Sequence, residues 1–300
     1  MIFRDKSAEV NHILKSEFSR LFELALKQQA HVGDLLLLRE NGFYSEDALL
    51  FVNNDGTKFS PYVVGPGNEG HSEQTHYTFI DKYRQTNIHK LSFKEYLREI
   101  EYLQDNGLSI DELVEEEGTT IQIEMLIYLK FWEADMIIKR FYQFVRILNG
   151  EPYDWHFKIS DSINEKRHEI IRNKIRDKLI DISPILYDLI KQTYRTQIRN
   201  SIAHSNYSFV GRIILLNNYK DDGYSDLVSI EFDDWVDLFH NTLMLHNQYI
   251  WLDNAINDFY RVFAMKCGNH VPIVITDKDG KIIEAFLRFN PNGNSWVYEK

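Results

Sequence analysis

The chain of 300 residues has a single cysteine, Cys267, which excludes an intramolecular disulfide framework and a multi-cysteine zinc site together and suits a reducing compartment. Long apolar runs are missing too. The greasiest stretch, after Ile121, is interrupted by Glu124, Lys130, Glu133 and Asp135, short of the roughly 18 apolar residues of a membrane-crossing helix. Behind Met1 stands neither a basic segment nor a continuous apolar one of the kind that directs export, so a cytoplasmic protein without membrane attachment is expected. There is no His-Glu-x-x-His, and His71 and His76 lack Cys/His partners at ligand spacing, so no metal and no cofactor is expected. Internal repeats and low-complexity tracts are absent. Positive charge is scarce: a net charge of -11 argues against a protein that coats nucleic acid through a broad basic face.

What is present is a globular composition, with 44% hydrophobic and 14% aromatic residues. The charge is unevenly spread. From Lys166 to His204 nine Lys/Arg stand against four Asp/Glu, an island of +5 in an acidic chain.

Val10, Ile13, Leu14, Phe18, Leu21, Phe22 and Ala25 recur at three- and four-residue steps and predict an opening helix. Residues 48–53 and 57–64 flank Asn53-Asn54-Asp55-Gly56 and suit a small hairpin, followed by a loop through Gly65, Pro66, Gly67 and Gly70. Ser92 with Glu95, and Ser109 with Glu112, have capping-box spacing and predict two helix starts. From 120 to about 148 the pattern is apolar on nearly all sides and predicts one central buried helix, ending at Asn149-Gly150. A second helix fits 162 to about 182, and a third starts at Ser183-Pro184, with Leu186, Ile190, Tyr194, Ile198 and Ile202 four residues apart. Residues 209–216 and 227–232 predict a hairpin around Asp221-Asp222-Gly223, and 233 to about 265 a further helix. Segments 271–276, 281–289 and 295–298, separated by Asp279-Gly280 and Asn292-Gly293, predict a terminal β-meander. The simplest division is an N-terminal α+β region to 115, a helical domain over 116–267 and a β-meander over 268–300.

Chemistry concentrates at the end of the third helix, in Arg199-Asn200-Ser201-Ile202-Ala203-His204. Arg199 and His204, five positions apart, diverge by about 140° on an unbroken helix, whereas Asn200 and His204 share a face. The two meet over one phosphate if the arginine curls round or the helix loosens near Ser205-Asn206. A histidine can move a proton at a ribose 2′-hydroxyl, and a guanidinium can neutralise the phosphate under attack through its planar fork. Arg195, one turn earlier, and Lys191 are candidates for further RNA phosphates.

Arg199-Asn200-x-x-x-His204 resembles the ribonuclease-type motif of the HEPN superfamily: Arg, a polar residue, about three variable residues, then His, on the last helix of a bundle. The resemblance covers about residues 120–265. It implies a mainly α fold, a HEPN-like bundle with the N-terminal α+β region, inserted hairpin and C-terminal meander as additions. It also implies a metal-independent endoribonuclease acting as a homodimer, often a toxin or phage-defence effector with an antitoxin or defence partner protein, although some members only bind RNA or protein. By position, Arg199 and His204 would be the catalytic pair and Asn200 the orienting residue. One toxin branch has Tyr two residues after the His, where this chain has Asn206. An acidic residue on the first bundle helix often supports the Arg; Glu124, Glu133 and Asp135 are all candidates.

Other features have plainer readings. Gly65-Pro66-Gly67-Asn68-Glu69-Gly70 matches a dinucleotide-loop pattern without a βαβ context and reads as a loop. Glu115-Glu116-Glu117 reads as a solvated helix end. Trp235, Phe239, Leu243, His246, Ile250 and Trp251 read as core or dimer surface, and Cys267 as a structural thiol.

Overall fold

A computed structural model describes residues 1–51, 59–65, 72–159, 166–221, 225–277 and 279–299. In chain order the elements are α1 (Arg4–Gln28), α2 (Asp34–Arg39), β1 (Phe43–Tyr44), a 3-10 turn (Glu46–Leu50), β2 (Tyr62–Val63), α3 (Ser72–Thr86), α4 (Phe93–Asp105), α5 (Asp111–Trp132) and α6 (Asp135–Leu148). There follow α7 (Arg167–Glu169), continued by a wide π turn (Ile170–Arg176) and a 3-10 turn (Asp177–Leu179), then α8 (Pro184–Thr193), α9 (Thr196–Ala203), β3 (Tyr207–Val210), β4 (Ile213–Leu216), β5 (Ser229–Glu231), α10 (Phe232–Lys266), β6 (His270–Thr276), β7 (Ile282–Asn290) and β8 (Ser295–Glu299). The fold is mainly α with small antiparallel sheets, β1-β2, β3-β4-β5 and β6-β7-β8. No helix among the described residues is long and apolar enough to cross a membrane.

Two compact units emerge, each gathered from three separated segments: unit 1 from Met1–Glu17, Ser72–Ala134 and Ile185–Gln248, unit 2 from Phe18–His71, Asp135–Pro184 and Tyr249–Lys300. Contacts thus group the chain differently from a sequential division at 115 and 267. Helices α1 and α10 each contribute residues to both units.

Unit 1 holds helices α5 and α9, which pack together, and the β3-β4-β5 sheet. Its core includes Phe3, Phe93, Tyr96 and Ile100 in one cluster. Trp235, Phe239, Leu243 and His246 are also buried in this core, whereas Ile250 and Trp251 of the same stripe are half-buried. The capping box forms at Ser92, whose hydroxyl accepts from the Glu95 backbone while Glu95 accepts from the Ser92 backbone at 2.9 Å. The second expected box does not: Ser109 Oγ accepts from the Asp111 backbone at 3.1 Å, and α5 begins there without Glu112. Glu117, expected in solvent, is buried because Arg212 donates to both its oxygens at 2.8 Å.

Four further expectations are corrected. The stretch 120–148 is two helices, parted at Glu133-Ala134. The third helix is likewise two, parted at Tyr194-Arg195. Residues 46–50 form a 3-10 turn, and the small strands pair Phe43 with Val63 and Tyr44 with Tyr62 instead. The segment after the glycine loop, for which no helix was expected, forms α3 and carries His76. The expected turn at 53–56, the glycine loop from Pro66, His71, the start of the second helix at 162–165 and Asp222-Gly223 lie outside the described residues.

In unit 2, α2 packs on α6 and against β6. Buried Trp155 donates to the Val274 carbonyl at 3.0 Å, tying the 150s loop to the meander. Gly33, before α2, lies where a Cβ would sit 2.5 Å from both the Pro272 carbonyl oxygen and Ile273 Cγ2. One of those atoms is backbone, so the neighbour has little room to yield. Gly33→Ala should therefore cost about 1–3 kcal/mol, measured as a lower urea midpoint.

Candidate functional site

Arg195, Arg199, Asn200 and His204 sit on α9 and at its two ends, and Lys191 lies on the preceding α8. Thr196–Ala203 is helical; Arg195 is the extended residue before it, and His204 caps it at φ -106, ψ 9. The end is closed by a Schellman pattern: Ser205 N–H donates to the Ile202 carbonyl at 3.2 Å and Asn206 N–H to that of Ser201 at 2.7 Å. Ser201 Oγ adds a bond to the Asn206 carbonyl. Ser205 occupies the left-handed region (φ 53), where glycine is the usual residue. Ser205→Gly should relieve that strain and raise stability by up to about 1 kcal/mol, read as a higher melting temperature.

Buried Gln197 anchors the helix's first turn, donating to the Leu227 carbonyl at 2.7 Å and accepting from the Leu227 N–H at 3.1 Å. Sequence reasoning missed this residue, because a glutamine clamped on distant backbone carries no local signal.

Arg199 is half-buried. Its Nε donates to Glu133, and its Nη1 donates to Asn200 Oδ1 at 2.8 Å. Of the three acidic candidates, Glu133 is therefore the one that meets the arginine; it stands at the C-terminal cap of α5 because the 120–148 stretch breaks there. Glu124 is instead buried, accepting from Tyr83 at 2.7 Å and Trp235 at 2.9 Å. Asp135 pairs with Arg167 at 2.6 Å. The hydrogen bond that Arg199 donates to Glu133 holds its guanidinium above its ordinary pKa, against the opposing effect of burial. Arg199 Nη2 has no hydrogen-bond partner among the described residues.

His204 is exposed, and its ring makes no hydrogen bond or ion pair among the described residues. Its backbone N–H donates to the Asn200 carbonyl at 3.1 Å, so Asn200 lies one turn below it. Because Asn200 accepts from Nη1, the guanidinium bends toward the Asn200 side of the helix, the side that carries His204. Lys191 and Arg195 are exposed, and the Lys191 ammonium lies 5.7 Å from the centre of the Tyr187 ring.

A residue not anticipated by sequence is Tyr128, wholly buried on α5. Its hydroxyl donates to the Thr193 carbonyl at 2.9 Å and accepts from Arg195 N–H at 3.4 Å, across the break between α8 and α9. Among the described residues no group of three or more His, Cys, Asp or Glu side chains is placed to hold a metal ion. No protein-family model matches the chain, and comparison with curated proteins and with solved structures returns no match.

Proposed function

We propose that the protein is a HEPN-type endoribonuclease that cleaves RNA through the 2′-hydroxyl without a metal ion. The observation that carries this reading is the curl of Arg199: held by Glu133 and Asn200, its guanidinium turns toward the face of α9 that ends in exposed His204, whose ring is unpaired among the described residues. His204 takes the proton of the 2′-hydroxyl, the 2′-oxygen attacks phosphorus, and the P–O5′ bond breaks. Products are a 2′,3′-cyclic phosphate and a 5′-hydroxyl, the leaving oxygen taking up a proton from solvent. Arg199 Nη2 donates to a non-bridging oxygen as negative charge builds on it. Asn200 orients the arginine, and Lys191 and Arg195 hold flanking phosphates. With this reading go a homodimer, a cytoplasmic setting and a toxin or phage-defence role with an antitoxin or defence partner.

A second reading, a HEPN module that binds RNA or protein without cutting, is favoured by one observation: Glu133 already compensates the Arg199 charge, as in a structural ion pair. Incubation of purified protein with labelled tRNA and mRNA in excess EDTA separates the two. Cyclic-phosphate ends that disappear in Arg199→Ala and His204→Ala establish the nuclease; RNA left intact by the wild type favours the module.

A further inference from the structure

Leu186, Ile190, Tyr194, Ile198 and Ile202 fall four residues apart, with no glycine or proline from 185 to 203 to interrupt a helix. A four-residue step overshoots a helical turn by about 40°, so four such steps on an unbroken helix carry Ile202 about 160° away from Leu186. Yet all five are at most 7% exposed. The break at Tyr194-Arg195, with Arg195 extended at φ -121, ψ 121, resets the helical phase and lets both halves bury their apolar side chains.

Such a break strands backbone groups. In a continuous helix the Thr193 carbonyl would accept from residue 197; here it accepts from the Tyr128 hydroxyl at 2.9 Å, and that same hydroxyl receives the Arg195 N–H at 3.4 Å. Thr193 is itself wholly buried, and its Oγ1 donates back to the Leu189 carbonyl at 2.7 Å, a bond that tends to bend helices. Both Tyr128 and Thr193 have no exposed surface, so bulk solvent does not reach the groups that the phenol satisfies. Tyr128 and Glu133 belong to the same stretch of α5 and its cap, so one helix both holds the break and receives the arginine that follows it.

We propose that Tyr128 is a positioning residue for the Arg199 site: its buried hydroxyl holds the α8–α9 break that turns α9 so that Arg199 reaches Glu133. Its consequence for catalysis rests on the ribonuclease reading, but the placement itself is testable without RNA. Tyr128→Phe keeps the ring, which packs 6.0 Å from that of Trp235, and removes only the hydroxyl. In nitrogen-15 NMR of arginine-labelled protein, hydrogen exchange at Arg199 Nε should accelerate about tenfold or more in Tyr128→Phe, with circular dichroism unchanged. Unchanged exchange at Arg199 Nε overturns the proposal.

Should the variant fail to fold, the wild type decides alone: an Arg195 amide protected from exchange supports the proposal, and one exchanging as fast as exposed loop amides overturns it. In a wild type that cleaves RNA, kcat of Tyr128→Phe should fall about a hundredfold while KM stays within about twofold. A loss carried by KM alone overturns it. If the wild type does not cleave, the exchange measurements still decide the role of Tyr128, and only the ribonuclease reading fails.

Discussion

Replacing His204 with alanine should slow RNA cleavage between about a hundredfold and ten-thousandfold, the range lost when a general base is removed. The effect belongs to the chemical step, so RNA affinity should stay within a few-fold of wild type. Stability should change little, by about 0.5 kcal/mol at most, because the ring is exposed and unpaired among the described residues. Single-turnover cleavage in excess EDTA, with product ends resolved, is the measurement. Wild-type rates in His204→Ala would remove the histidine from the mechanism. Arg199→Lys makes a complementary test: an ammonium cannot bond Glu133, Asn200 and a phosphate oxygen in one plane, so its loss should approach that of Arg199→Ala.

The second large effect concerns acid. His240 Nε2 accepts the Phe3 N–H at 2.9 Å, and its Nδ1 lies 2.7 Å from the Val236 carbonyl. The ring is therefore neutral with the proton on Nδ1; a second proton on Nε2 would face the Phe3 N–H. Burial pushes His240 down to about 4, against the pull of the Val236 carbonyl. Burial does the same to His246, also to about 4, with the Arg84 charge adding to it.

Both groups ordinarily titrate at 6.5, so between that pH and 4 the unfolded chain binds protons that the folded chain refuses. Their contribution is complete above 6.5 and drains away as pH falls through about 4, each histidine removing on the order of 3 kcal/mol. Unit 2 contains a group of opposite sign. Asp34, buried on α2, is raised by burial to about 6 from 3.8, so acidification over that interval favours its folded form. Hydrogen exchange at pH 7 and pH 5 should show protection falling around 236–248 while the α2 segment holds. His240→Gln, which cannot titrate, should lose less protection; a response equal to wild type would assign the acid sensitivity elsewhere.

Where bonding is local, the sequence determined the structure unaided. Ser92 and Glu95 fix the start of α4 because each finds its partner three residues away. The meander strands follow from alternation between Asp279-Gly280 and Asn292-Gly293, and α10 from its long periodic stripe. The end of α9 was legible too, since Ser205-Asn206 are poor continuers of a helix and the chain closes there. Those rules also placed Arg199, Asn200 and His204 on one helix end.

Tertiary structure alone decided which groups those side chains meet. Nothing around Glu124, Glu133 or Asp135 distinguishes them in sequence; the choice of Glu133 for Arg199 depends on a partner 66 residues away. The parting of α8 from α9 is not marked by any glycine or proline; Thr193, Tyr194 and Thr196 are weak helix formers, but helices commonly run through such residues. Its cause is a phenol hydroxyl 65 residues from the carbonyl it satisfies. Glu117 looked like solvent-facing charge until Arg212, 95 positions on, supplied both bonds that let it be buried. Local propensities differ by tenths of a kcal/mol per residue, whereas a stranded buried polar group costs about 1–3 kcal/mol. Long-range partners therefore overrule periodicity at the helix breaks, and those breaks shape the site.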